Sequence, residues 1–288
     1  MNIILGIDIG GSTTKIAGLT SSGALLGTLQ VRAADAVTSA YGGLGRFLRE
    51  QSLHVEDVST VVLTGVGASY LSDKMLNIPL VHVPEFSAIG RGGLALSGKK
   101  EALVVSMGTG TAYVRASEDS VVHIGGSGVG GGTIEGLCSR LSGVHHMSSI
   151  NDVAAKGDLS RVDLTISDIS KAPIDSLPPD LTASNFGKWR DFATAEDSAL
   201  GVLNMVFETI GMMAVFACRN DTVNDVILTG TLTNIPYAKW VFAQLHELTG
   251  VSFEIPPCAV FATAIGAVLH YMGRNTLAKP DEAASASK

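Results

Sequence analysis

The stretch that most constrains this chain is GIDIGGSTTK, residues 6–15. A β-branched apolar run over residues 3–9 enters it and another over residues 16–19 leaves it. That pattern predicts two strands joined by a Gly/Ser/Thr turn. Gly10 and Gly11 lack a Cβ, so the backbone N–H groups of the turn can close on an anion as a nest. Ser12 and Thr13 add hydroxyls at the same point, and Lys15 adds a cation. Asp8 is unsuited to holding phosphate directly, but it suits a hydrated Mg²⁺ that accompanies phosphate. The turn therefore predicts nucleotide-phosphate binding. Taken alone it leaves an ordinary Gly-rich hairpin as the alternative.

A chain of 288 residues, 46% hydrophobic and only 16% charged, can bury the cores of two domains of ordinary size. Its net charge of −7 gives no electrostatic footprint for nucleic acid or an anionic membrane. Cys138, Cys218 and Cys258 lie far apart with no CxxC, which predicts free thiols in a reducing cytosol. Asp8 interrupts the apolar start, so no secretory signal is expected. The longest apolar stretch, residues 200–218, contains Asn204, Glu208 and Thr209 and reads as a buried or interface helix instead of a membrane span. A cytoplasmic protein without nucleic-acid or membrane partners is the expectation.

In chain order, residues 3–9, 14–19 and 24–32 read as a three-stranded meander, followed by a helix over 39–51. Residues 58–64 have the continuous apolar character of a strand buried on both faces, ending at the loop Gly65-Val66-Gly67-Ala68. A short helix over 69–76, a strand over 79–83 and a Gly-rich helix over 87–96 are expected next. The device then repeats: a strand over 102–106, the turn Gly108-Thr109-Gly110-Thr111, a strand over 112–116 and another over 121–124. A glycine cluster at 125–132 opens onto a helix over 133–141. This repetition suggests an internal duplication. Beyond it come a short helix over 149–156, a strand-like run over 162–166, a helix over 194–219 and a strand over 223–229 ending at Gly230. A helix over 235–248, a strand over 251–255, a helix over 261–272 and an unfolded tail over 273–288 complete the expectation.

Three glycine turns thus follow strands, at residues 10–14, 108–111 and 229–231. No GxxxxGK[ST] is present, and the first turn leads into a strand instead of a helix, which argues against a P-loop and a dinucleotide fold. The order of the turns resembles the actin, sugar kinase and heat-shock chaperone superfamily of two-lobed ATPases. That resemblance implies an α/β, duplicated ribonuclease-H-like fold with ATP in the interlobe cleft. The lobes would span residues 1–97 and 98–272. The turns containing Gly10 and Gly108 would clamp the triphosphate, and Gly230 would lie against the adenosine.

Within that superfamily a series narrows the match: Pro84-Glu85-Phe86, GTGT at 108–111, GGSGVGGGT at 125–133, Gly157-Asp158 and DLTASNFG at 180–187. The series resembles the type II pantothenate kinases over residues 3–272. The family likeness implies ATP- and Mg²⁺-dependent phosphorylation of the primary hydroxyl of pantothenate, the first step of coenzyme A biosynthesis. It makes Glu85 the catalytic base, where a solvated loop carboxylate is the bland alternative. It puts Asp8 on Mg²⁺ through water, and Gly10, Gly11, Ser12, Thr13 and Lys15 on the phosphates. Lys15 as a solvent-facing strand residue is the alternative there. On the facing turn it places Gly108, Thr109, Gly110 and Thr111. Gly130, Gly131, Gly132 and Thr133 would offer N–H groups at a helix N-terminus. Close packing of two backbones would also explain these glycines.

The substrate side would be formed by Glu85, Thr109, Ala112 and His123, and here the chain departs from the family. An Arg commonly stands where this chain has His123, and a Ser where it has Ala112. Arg is a permanent forked cation, whereas His is a shorter ring and largely neutral near pH 7. A related pantoyl or pantetheine-like alcohol is the second enzyme reading. The opening motif also resembles the ATP-driven activators of 2-hydroxyacyl-CoA dehydratases, which hold an iron–sulfur cluster on Cys thiolates; only Cys138 and Cys218 are candidates for that. The family likeness further implies a homodimer, with the 200–218 helix in or near the contact, and CoA or acyl-CoA as an inhibitor. His145 and His146 lack a carboxylate or Cys partner at ligand spacing and are expected at the surface.

Overall fold

A computed structural model describes residues 2–32, 35–174, 177–219 and 221–278. The first half contains β1 (Ile3–Ile9), β2 (Thr13–Thr20), β3 (Leu25–Arg32), α1 (Ala36–Glu50), β4 (Val58–Thr64), β5 (Lys74–Met75), β6 (Ile78–His82) and α2 (Glu85–Ser97). Its strands lie in the order β3-β2-β1-β4-β6-β5. β1, β2 and β3 form an antiparallel meander, and β1, β4 and β6 run parallel.

The second half begins with β7 (Glu101–Met107), β8 (Thr111–Ser117), β9 (Val121–Ser127), α3 (Gly131–Leu141) and α4 (Met147–Ala154). It continues with β10 (Leu164–Thr165), α5 (Ile166–Ile169), β11 (Thr182–Ser184) and α6 (Ala195–Arg219). It closes with β12 (Asp225–Thr229), α7 (Pro236–Thr249), β13 (Ser252–Glu254) and α8 (Ala262–Tyr271). This sheet has the order β9-β8-β7-β12-β13, antiparallel across β9, β8 and β7 and parallel across β7, β12 and β13. It repeats β3-β2-β1-β4-β6 strand for strand. The expected duplication is therefore present in the topology, and the architecture is the actin-like ATPase fold.

Burial follows the sequence pattern. β1 is buried along its whole length, and β4 at all but one position. Asp35 caps α1 by accepting from Thr38 N at 2.6 Å, and the helix then lays Leu44 and Phe47 onto the first sheet. α6 is apolar around most of its circumference. It has the length and composition of a membrane span, but most of it is buried, so it is the core helix of the second half. Tyr113 Oη ties it to β8 by donating to Ile210 O at 3.1 Å.

α8 leaves the second half and packs across the first sheet, against Ile4, Ala17 and Val62. It crosses α2 at glycines. A Cβ on Gly92 would strike Ala262 O, and one on Gly266 would strike Ala88 O. A Cβ on Gly6 of β1 would strike Ala264 O. α2 contacts β7, β8 and β9 as well, so α2 and α8 form a shared layer between the sheets.

Three local expectations fail. Residues 69–76 are not a helix: a 3-10 turn at Val66–Tyr70 is followed by Asp73, Leu76 and Asn77 at φ 61°, 50° and 67°, a left-handed geometry that no helix continues. The run 162–166 is a strand only at Leu164–Thr165, because Asp163 turns inward and Asp168 accepts from Thr165 N to start α5. The tail is structured at its beginning: Ala278 N donates to Gly23 O at 3.0 Å, Arg274 bonds Ser22 O, and Leu277 packs with α8. The rest of the expected tail, 279–288, lies outside the described residues.

Candidate active site

The C-terminal ends of β1 and β4 and the start of α2 meet at one point. Asp8 and Lys15 face each other across the β1–β2 register, with Lys15 Nζ donating to Asp8 Oδ2 at 3.3 Å. Both are buried, Asp8 at 6% and Lys15 at 7% exposure. The solvent-facing alternative for Lys15 is thereby removed. Glu85 is the first residue of α2, not a loop residue, and its N-cap is Pro84. Burial raises its pKa above the ordinary 4.5, the negative charge of Asp8 raises it further, and Lys15 opposes the rise. A half-buried carboxylate beside a second carboxylate and one cation is the electrostatic setting of a proton acceptor with a raised pKa.

Gly65 lets β4 end against this group. It stands at φ 90°, and a Cβ there would lie 2.6 Å from Asp8 Oδ1 and from Ile9 O. Its position after a buried strand was the only signal for it in the sequence.

The first and second glycine turns meet. Gly10 N donates to Thr13 O at 3.0 Å to close the first, and Gly108 N donates to Gly110 O at 2.9 Å to close the second. Ser12 Oγ and Thr109 Oγ1 lie 3.0 Å apart, and the Cβ position of Gly11 is 3.6 Å from Thr109 Oγ1. Residues 97 positions apart in sequence are thus paired across the interlobe cleft. The buried Asp8 carboxylate and the hydroxyl oxygens of Ser12 and Thr109 are hard ligands, and the turn N–H groups suit the phosphate oxygens instead. Mg²⁺ fits such a set because it binds through one or two carboxylates, waters and phosphate oxygens. Among the described residues no three His, Cys, Asp or Glu side chains cluster as metal ligands.

The glycine cluster backs the second turn. Gly130 N donates to Thr133 Oγ1 at 3.2 Å, Gly131 N to Gly108 O at 2.8 Å, and Gly132 N to Thr109 O at 2.9 Å. The expectation that these three groups stand free is corrected: the Gly131 and Gly132 N–H groups hold the GTGT turn, and the Gly130 N–H is taken by the Thr133 side chain. A Cβ on Gly130 would lie 2.7 Å from Thr109 O, so close backbone packing explains that glycine. Thr133 Oγ1 donates to Gly128 O, and Thr111 Oγ1 donates to Val129 O. Gly230, at φ 89°, braces the turn from behind, with its Cβ position 2.5 Å from Met107 O.

Ala112 pairs with Gly126, and Val114 with His123, on the face of β8 and β9 that α2 covers. The His123 ring lies flat on Phe86, centroids 3.8 Å apart and planes within 4°. Its Nε2 is 3.8 Å from the Cβ position of Gly126. The structure therefore brings His123 and Ala112 onto the α2 face that begins at Glu85. In the sequence Phe86 stands out only as part of the Pro84-Glu85-Phe86 series, and nothing there marks its stacking partner.

DLTASNFG is anchored below. Phe186 N and Asn204 Nδ2 donate to Asp163, Asn185 Nδ2 donates to Glu208, and Tyr237 Oη donates to Asn204 Oδ1. Elsewhere, His145 and His146 precede α4 at the surface, and His145 Nδ1 lies 2.7 Å from Ser139 Oγ. Cys138 and Cys218 are buried, and burial pushes both thiols up to about 11, away from the thiolate form a cluster requires.

The chain has the actin-like ATPase fold. One solved structure, the activator of the 2-hydroxyisocaproyl-CoA dehydratase from Clostridium difficile with bound ADPNP, superposes at TM-score 0.68 with 15% identity, covering 99% of this chain and 96% of that one. The Fumble family profile matches residues 97–240. A type II pantothenate kinase of Staphylococcus epidermidis is 31% identical over 229 residues, covering 75% of this chain and 85% of that protein. One from Staphylococcus aureus is 28% identical over 281 residues, covering 94% and 99%. The chain belongs to the type II pantothenate kinase family and is a kinase-type phosphotransferase.

Proposed function

We propose that the protein phosphorylates the primary hydroxyl of pantothenate with ATP, with Glu85 as general base. The carrying observation is the desolvated Glu85 beside the buried Asp8–Lys15 pair, at the end of the cleft where Ser12 meets Thr109. Glu85 takes the hydroxyl proton as the new O–P bond forms and the bond to the ADP oxygen breaks. Lys15, the N–H groups of the first turn, and the hydroxyls of Ser12, Thr13 and Thr109 would orient the triphosphate and balance its charge. Asp8 would hold Mg²⁺ through water; when bound, the ion neutralises phosphate charge. Gly108, Gly110 and Thr111 shape the facing turn, Gly130, Gly131, Gly132 and Thr133 brace it, and Gly230 supports its base.

One observation favours a second substrate within this class. The His123–Phe86 stack and the Ala112–Gly126 pair offer an aromatic and small-residue wall where relatives are expected to have a fixed cation and a hydroxyl. A pantetheine-like alcohol, lacking the carboxylate, suits such a wall. The family likeness also supports a cytoplasmic homodimer, inhibition by CoA or acyl-CoA, and a catalytic unit of two lobes divided after Ser97, where Gly98 caps α2 in the left-handed conformation. ATP consumption with pantothenate, pantoate, pantetheine and several sugars tests the substrate. Turnover is expected on pantoyl compounds and lost in Glu85→Ala. Turnover on sugars alone, or an undiminished Glu85→Ala protein, contradicts it.

A further inference from the structure

Thr64 ends β4, the strand that stands between β1 and β6. It pairs with Asp8 in the parallel β1–β4 register. On its other side Val83 N donates to Leu63 O, and the chain then turns at Pro84 into Glu85. Thr64 therefore lies in the sheet between the two carboxylates of the site. Alternation along the strands sets its direction: Ile4 and Val62 face the layer formed by α2 and α8, and Asp8 and Thr64 share that face.

Thr64 is 1% exposed, and its Oγ1 has no hydrogen-bond partner among the described residues. A buried hydroxyl without a partner is costly, and a valine of the same shape would avoid that cost. Val61 and Val62 occupy the same strand without difficulty. The hydroxyl is thus an unmatched buried polar group on the sheet face that Asp8 shares, one strand away from the Asp8–Lys15 pair.

We propose that Thr64 is a positioning residue for phosphoryl transfer: its hydroxyl accepts a hydrogen bond from a water that Asp8 also holds and donates toward Glu85, fixing the hydration shell of the cation relative to the base. The assignment presumes the roles of Asp8 and Glu85 proposed above. The hydroxyl leaves the other Glu85 carboxylate oxygen to receive the substrate proton.

Thr64→Val, Thr64→Ser and Thr64→Ala separate the hydroxyl from the methyl group. Binding of the non-hydrolysable analogue AMPPNP is measured with Mg²⁺ and with EDTA, alongside Tm, kcat and KM. In Thr64→Val the gain in AMPPNP affinity on adding Mg²⁺ is expected to shrink by about threefold or more, and kcat to fall by roughly 10–100-fold with KM for the alcohol near wild type. Its Tm is expected to be unchanged or higher. Thr64→Ser is expected to restore both readouts. If the valine protein does not fold, Thr64→Ser against Thr64→Ala gives the same comparison. A valine or alanine protein with wild-type Mg²⁺ dependence and kcat overturns the assignment, as does a serine protein impaired like the alanine one. If the wild-type protein turns over no pantoyl alcohol, the substrate reading fails, and the AMPPNP measurement still decides Thr64.

Discussion

Glu85 and its neighbours set the chemistry by small electrostatic differences. Burial and Asp8 both favour its protonated form, so the acidic limb of kcat/KM is expected above the ordinary glutamate value of 4.5, with activity rising as Glu85 ionises. Glu85→Gln, which cannot accept the proton, is expected to lower kcat by about 10²–10⁴-fold while leaving AMPPNP affinity within a few fold. An acidic limb at or below 4.5 would separate Glu85 from that ionisation. His123 and Ala112 set the other boundary. His123→Arg with Ala112→Ser is expected to raise the pantothenate-to-pantetheine ratio of kcat/KM by about tenfold or more, because a buried carboxylate–Arg contact is worth more than one factor of ten. Steady-state kinetics on both alcohols decides it. At this scale the sequence was partly legible. Asp8, Lys15 and Glu85 were named from chemistry and family likeness. Phe86 was missed because a ring stack between residues 86 and 123 leaves no periodic trace, and the use of the Gly131 and Gly132 N–H groups was missed because it depends on a turn distant in sequence.

Among the elements, two contacts carry testable weight. Where α2 crosses α8, a Cβ on Gly266 would meet backbone atoms of Ala88 and Gly92, which cannot yield as a flexible side chain would. Gly266→Ala is expected to cost about 1–3 kcal/mol by overpacking, read as a fall in Tm of roughly 2–4 °C per kcal/mol. The second contact is the polar anchor of DLTASNFG on α6. Glu208 is pushed above its ordinary value by burial first, then by Asp163, against the hydrogen bond from Asn185. A raised acid binds its proton more tightly in the folded state. Its favourable contribution is therefore present below the unfolded value near 4.5 and lost as pH rises through the folded value. Glu208→Gln keeps an acceptor for Asn185 and is expected to flatten this part of the stability–pH curve; denaturant titrations from pH 4 to pH 8 test it. The strands and long helices were legible because runs such as VSTVVLT have one physical reading. The 69–76 and 162–166 segments were not, since positive-φ residues and an inward Asp163 are set by tertiary contacts.

In the whole molecule, duplication is the organising fact. Two sheets of the same strand order present their first hairpin turns to one cleft, and the shared α2–α8 layer joins them. The repeat of strand, Gly/Thr turn and strand near residues 10 and 108 made this legible, because each copy needs the same small residues for the same close approach. The path of α8 back to the first sheet was not legible: an apolar helix of ten residues fits either lobe equally well by pattern. In the proposed reaction this cleft transfers a phosphoryl group from ATP to the primary hydroxyl of a pantoyl alcohol through Glu85. Mass spectrometry of the products formed from ATP, Mg²⁺ and pantothenate or pantetheine tests it most directly. A monophosphorylated alcohol in equal amount to ADP is expected from the wild-type protein, and next to none from Glu85→Gln. ADP released with inorganic phosphate and no phosphorylated alcohol, or equal product from the Glu85→Gln protein, would contradict it.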